Sequence, residues 1–259
     1  MSLNFKFYSR DSFRDKILPK EFLKYLAPYG FSIWKESGVI KPETMLYRPS
    51  RGNEYVDIYR IDGAAVNGGQ FYRSECIDKK IVLVENIYED LKEPFELNKS
   101  IFRPTIVISI GKIFPEYTEL QNYDKIFKGV RIPCIPQGIK AYINHVAKMF
   151  EEHLLPALEK YNDLRQIDKI FNFQAERPLE TPISLLPPNS PFQRLIIARL
   201  VDNPLFDQIA EWMIGRFENG IKTREEESDR ELSRKHLEAY KILYDRLKNM
   251  DPLKDTLLK

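Results

Sequence analysis

Histidine and cysteine are scarce: the 259 residues hold three of the first and two of the second. Few side chains are therefore available for a zinc cluster, a thiol nucleophile or a histidine-driven acid–base site. Cys76 and Cys134 lie far apart and form no CxxC pair, so neither a disulfide framework nor a metal knuckle is expected. Long apolar runs are missing too. The longest, around Ile106 to Ile110, is strand-sized and contains Ser109, far short of the roughly 20 residues that a membrane-spanning helix needs. The first residues, MSLNFKFYSRDSFRDK, scatter charges where a signal peptide needs an unbroken apolar stretch. A cytoplasmic protein with no membrane partner is expected. Charge of one sign is also lacking. Forty basic and 38 acidic residues leave a net charge of +2, too little to gather phosphates at long range, so nucleic acid is not an implied partner.

What is present is an ordinary globular composition, 43% hydrophobic and 30% charged, rich in Phe and Tyr. The first half reads as strands. A short helix is expected from about Pro19 to Ala27, striped by Phe22, Leu23 and Leu26 and stopped by Pro28 and Gly30. Short apolar runs follow at Phe31 to Trp34 and Met45 to Arg48. Residues 54–61 then alternate, with Val56, Ile58 and Arg60 on one side and Tyr55, Asp57, Tyr59 and Ile61 on the other. Further strands are expected at Gln70 to Ile77, Ile81 to Glu85 and within Phe102 to Phe114. The first two would be joined by a tight turn at Asp78-Lys79-Lys80. Such short connections imply antiparallel pairing.

From Gly138 the apolar period turns helical, with Pro156 expected to kink or split the run. Five prolines between Arg177 and Pro191 suggest an extended connector. Three helices should follow. One is opened by Ser190-Pro191, and a second carries Leu205, Ile209, Trp212, Met213 and Phe217 and ends at Asn219-Gly220. The third begins at a Thr223/Glu226 capping box and is lined by Leu232, Tyr240, Leu243, Leu247 and Met250. Thr223 to Asn249 would span about 40 Å, so this helix is expected to pack on the sheet domain, with dimerisation through it as the second expectation. The expected fold is α+β: a sheet domain over 1–175, a connector over 176–191 and a helical module over 192–259.

Each constellation that could carry chemistry has a plainer reading. His145 and His153 share a helix but stand roughly 12 Å apart along its axis, too far for one ion. Cys134 sits between Pro133 and Pro136 with no activating partner. Gly63 to Gly69 lacks the lysine of a phosphate loop. The turn at Val201 to Pro204 is followed by a helix that opens with Asp207 and has no basic residue before Arg216, which argues against a DNA-reading helix. No metal site and no cofactor are expected. The best enzyme candidate is Asp57 with Asp78 and Lys80, because restriction-type nucleases place an aspartate on one strand and an acidic-x-Lys triplet on the next to hold Mg²⁺ and steady the attacking water.

Residues Phe22 to Phe31 (FLKYLAPYGF), the strands with Tyr47 and Tyr55-Val56-Asp57-Ile58, and the segment His153-Leu154-Leu155-Pro156-Ala157-Leu158 resemble a bacterial domain-of-unknown-function family. That family opens with a leucine-rich helix, a Pro-x-Gly-Phe turn and a strand. The resemblance covers Phe22 to Phe173 and brings no catalytic motif; the helical end has no counterpart in it. It implies a small cytoplasmic protein of suspected immunity or accessory role. The leading expectation is therefore a non-enzymatic protein-binding factor with an unidentified protein partner, anchored by Tyr55, Tyr59, Phe71 and Tyr72 on the sheet.

Overall fold

The structure is a computed structural model. It describes residues 16–33, 45–50, 54–66, 70–95, 105–108, 131–133, 137, 140, 143–144, 147, 150–176, 183–185 and 190–254, with residues 18–19, 45, 60–66, 70–76, 92–94, 131–133 and 183–185 described by their backbone alone. The protein is α+β, with an antiparallel sheet and a C-terminal helical module. Its chain divides into two compact units, interleaved in sequence: residues 1–80 with 106–159, and residues 81–105 with 160–259.

The first unit is built on the sheet. Helix α1 (Leu18–Leu26) runs into a 3₁₀ turn (Ala27–Tyr29), and Gly30 then reverses the chain at φ 89°. Only glycine adopts that left-handed conformation without steric cost. Strands β1 (Ser32–Ile33), β2 (Met45–Ser50), β3 (Tyr55–Val66), β4 (Gln70–Ile81) and β5 (Ile106–Ile108) lie side by side in that order, and β6 (Arg131–Pro133) pairs with the start of β4. The β1–β2, β2–β3, β4–β5 and β4–β6 pairs are antiparallel, with Arg48 opposite Asp57 and Lys79 opposite Ile106. Phe22, Leu26, Phe31, Leu46, Ile58 and Tyr59 form the core together with Phe150 and Leu154. Rings interlock there, Phe22 lying 4.9 Å from Tyr59 and Tyr29 5.2 Å from Phe150, in tilted and edge-on geometries that the aromatic quadrupole favours.

Pro156 does mark a break. The segment Phe150–Leu154 is wound as a π-helix and passes directly into α3 (Leu155–Lys160). A wider turn before the proline relieves the hydrogen bond that its missing N–H cannot make.

One expected strand is a helix. Residues 82–85 belong to α2 (Val82–Phe95), while β4 runs on through Asp78, Lys79 and Lys80, where a turn was expected. The apolar run Ile81-Val82-Leu83-Val84 suggested a strand, but Val84, Ile87, Tyr88 and Leu91 are all buried at helical spacing, and the larger period prevails. The start of α2 is capped from a distance. Thr105 Oγ1 accepts the Ile81 N–H at 2.8 Å and donates to Glu85 at 2.7 Å, supplying what a local Ser or Thr cap would.

The second unit centres on α5 (Ser190–Leu200). Residues 192–198 are all buried, polar ones included. Such a helix is enclosed on every side. It packs against α2, α4 (Leu164–Phe171), α6 (Phe206–Thr223) and α7 (Glu227–Lys248). Its buried Arg194 donates to Asn172 Oδ1 at 3.2 Å and to the Gln174 and Ala175 carbonyls, and Gln193 Nε2 donates to Glu85 at 2.7 Å. Asp202, at φ 58°, ends α5 with Asn203 N–H bonded back to the Ala198 carbonyl, a left-handed stop made without glycine. Of the connector, Ile183–Leu185 is described, and it is a short strand.

Helix α7 is shorter than expected, 22 residues or about 33 Å. Tyr240, Leu243 and Leu247 are fully buried against its neighbours α2, α5 and α6. That part of its stripe is used inside the unit and is not a free dimer seam. Leu232, expected in the same stripe, stands 47% exposed. Helix α6 continues through Asn219-Gly220 to Thr223, so the capping box does not form: Thr223 donates to the Asn219 carbonyl, and Glu226 caps α7 without a side-chain bond.

Candidate functional site

Two places in the described structure gather side chains with chemical capacity. The first is on the sheet. Arg48 on β2, Asp57 on β3 and Lys79 on β4 meet on one face: Arg48 Nε donates to Asp57 Oδ2 at 2.7 Å, and Lys79 Nζ donates to Asp57 Oδ1. Arg48 reaches outward as well, donating to Glu159 at 2.7 Å. Asp57 and Lys79 have no exposed surface. Lys79 stands 5.4 Å above the Tyr55 ring and Arg48 5.4 Å from that of Phe31, so each cation also meets a π-face. Burial pushes the Lys79 ammonium below its usual pKa, against the opposing pull of Asp57.

This arrangement separates the residues of the nuclease alternative. Successive side chains of a strand point to opposite faces. With Lys79 turned to Asp57, its neighbours Asp78 and Lys80 are turned away from it. Asp57 is engaged by two cations instead of being left to hold Mg²⁺. Among the described residues no three His, Cys, Asp or Glu side chains gather as metal ligands. The cluster neutralises its own charges and locks three adjacent strands in register, a structural role for a buried pair.

The sheet aromatics are placed differently from expectation. Tyr55 is 3% and Tyr59 1% exposed, so both are core residues. Strand β3 is buried on both faces there, since Asp57 and Ile58 are covered as well. The side chains of Phe71 and Tyr72 lie outside the described residues, as do His145 and Cys134. At the solvent edge of this unit Tyr25 and Tyr29 both donate to the exposed Glu151 Oε1, Tyr25 at 3.0 Å. Burial and then that carboxylate push the Tyr25 hydroxyl up, and the two donors hold Glu151 down.

The second place is the outer surface of α6. Glu211, Trp212, Gly215, Arg216, Asn219 and Gly220, with Arg224 just past its end, line an open cleft of about 510 Å³. They recur three and four residues apart and so share one helix face. Trp212 is half-buried, with the Arg216 guanidinium 5.1 Å from its ring. A Cβ on Gly215 would meet nothing within 4 Å, whereas one on Gly220 would come within 3.4 Å of Ser233 Oγ on α7. A side chain at Gly220 would thus touch α7 at ordinary packing distance, whereas the space above Gly215 is open. From sequence Trp212 was a core residue of the α6 stripe; Ile209 and Met213 fill that role. The available signal was Gly215 beside a tryptophan, a helix-weakening residue where no turn is needed.

Compared with known families, curated proteins and solved structures, the chain matches no family model, no curated protein and no solved structure. Among the described residues no helix is long and apolar enough to cross a membrane.

Proposed function

We propose that the protein is a non-enzymatic protein-binding factor of bacterial type, in an immunity or accessory role, and that the outer face of α6 is its contact surface. The observation that carries this reading is Trp212 beside Gly215 in an open cleft. Glycine inside a helix costs about 1 kcal/mol relative to alanine. Here no neighbouring atom requires it, so the space above it is available to something outside the unit. Tryptophan and arginine are the residue types that dominate binding energy at protein interfaces, and Trp212 and Arg216 stand together. The resemblance over residues 22–173 adds the accessory role. The sheet cluster supports the same reading from the other side, because its aspartate is engaged by Arg48 and Lys79.

A photo-crosslinking amino acid at Glu211, expressed in the native host, tests the assignment. A discrete protein adduct is expected there and not from the same label at Glu238, exposed on α7. Trp212→Ala should weaken it about 30-fold or more, as loss of a central anchor does. Equal labelling at both positions, or none at Glu211, would overturn the reading.

A further inference from the structure

The charges around the α6 cleft identify what it would hold. On the rest of the helical unit the exposed guanidiniums have carboxylates: Arg230 and Arg234 bond to Glu227, and Arg246 bonds to Asp90 at 2.8 Å. Arg216 has no carboxylate among the described residues and rests only on the Trp212 ring. Arg224 makes one long bond, 3.5 Å, to the Asp229 carbonyl. A guanidinium carries five donors in a planar fork suited to carboxylates, and most of those on this face are unused.

Resting on the protein-binding reading above, we propose that the α6 cleft takes an acidic segment of the partner protein. Two of its carboxylates pair with Arg216 and Arg224, and an apolar side chain beyond the Arg216 contact, on the Glu211 side, lies over Trp212 in the notch left by Gly215. The spacing suits an extended chain. Arg216 and Arg224 are eight residues apart, about 12 Å along the helix, the reach of about four residues of strand. Glu211 lines the other end of the cleft and repels a third carboxylate there, which fixes the direction in which the segment lies. The absence of a Cβ at Gly215 lets the segment's backbone approach the helix.

Trp212 is its own reporter. The chain has two tryptophans, so Trp34→Phe leaves Trp212 as the only indole. The probe is an end-blocked peptide of glutamates with one leucine at its end, compared with the same peptide carrying glutamines. The acidic peptide is expected to change Trp212 emission saturably as Arg216 leaves the ring, with affinity falling about tenfold or more on Arg216→Glu and at high salt. Arg216→Lys, which keeps the charge and loses the fork, should retain an intermediate affinity. The inference is overturned if the glutamine peptide binds equally, if inorganic phosphate competes at the peptide's own concentration, or if neither peptide changes the emission. The crosslink from Glu211 separates the two readings. An adduct that persists in Arg216→Glu leaves the protein-binding face standing and removes its acidic chemistry.

Discussion

Lys79 donates to Asp57 from the next strand, and neither side chain reaches solvent. Burying two charges is costly, and removing one partner leaves the other desolvated. Asp57→Ala should therefore lower unfolding stability by about 3–5 kcal/mol in urea titrations. The double change Asp57→Leu with Lys79→Met should recover part of that loss, because apolar residues of similar volume commonly replace buried pairs without penalty while Arg48 keeps Glu159 as its partner. A double variant as unstable as the single one would mean that the pair contributes more than its own desolvation.

Thr105 is expected to behave as the cap of a helix that begins 23 residues before it. Thr105→Val keeps the shape and removes the hydroxyl that joins Ile81 N–H to Glu85. The expected cost is about 1–2 kcal/mol by denaturant unfolding. Thr105→Ser should restore nearly all of it; a valine variant as stable as the parent would show that the bond is dispensable.

Two glycines should respond in opposite directions to alanine. Gly215→Ala adds a methyl to open space on a helix and should stabilise the protein by up to about 1 kcal/mol. Gly30→Ala forces a side chain into φ 89° and should destabilise it by about 1 kcal/mol. Thermal melts of the pair distinguish them, and Gly215→Ala should at the same time weaken partner capture by filling the notch.

His236 sets an acid sensitivity. Its ring lies between those of Phe192 and Phe217, each 6.0 Å away, and burial lowers its pKa below 6.5, with Arg224 adding to the shift and the Leu232 carbonyl opposing it. Between the folded value and 6.5 the unfolded chain binds more protons, so stability is full above pH 6.5 and falls as the pH drops below it. His236→Gln should flatten that part of the stability–pH curve. A curve of unchanged slope would assign the acid loss to other groups.

Helix α1 and its stop at Pro28 and Gly30 were legible because local chemistry decides them. So was the alternation of β3. What sequence could not show was that both faces of β3 are covered, which turned Tyr55 and Tyr59 from surface anchors into core. Three consecutive charges at Asp78-Lys79-Lys80 read as a turn; the strand tolerates them because Asp57, 22 residues before Lys79, supplies its counter-charge. Gly220 read as a helix stop, yet α6 runs on through it to Thr223 and packs there beside Ser233 of α7. In each case a residue distant in the chain overrides the local preference, and no local pattern reveals that partner.

The interleaving of the two units has a consequence for how the protein is made. Helix α2 leaves the ribosome with Val84, Ile87, Tyr88 and Leu91 on one side, but its packing partners α5 and α7 are translated roughly a hundred residues later. At about 5–20 residues per second that interval lasts roughly 5–20 s. Throughout it a greasy strip of nascent chain has nothing of its own to sit against. The sheet unit is complete sooner, since Phe150 and Leu154, which finish its core, are made about 35 residues before α5 begins. Maturation is thus gated by synthesis of the helical end, and a ribosome stalled before Ser190 would present α2 to chaperones or to a protease.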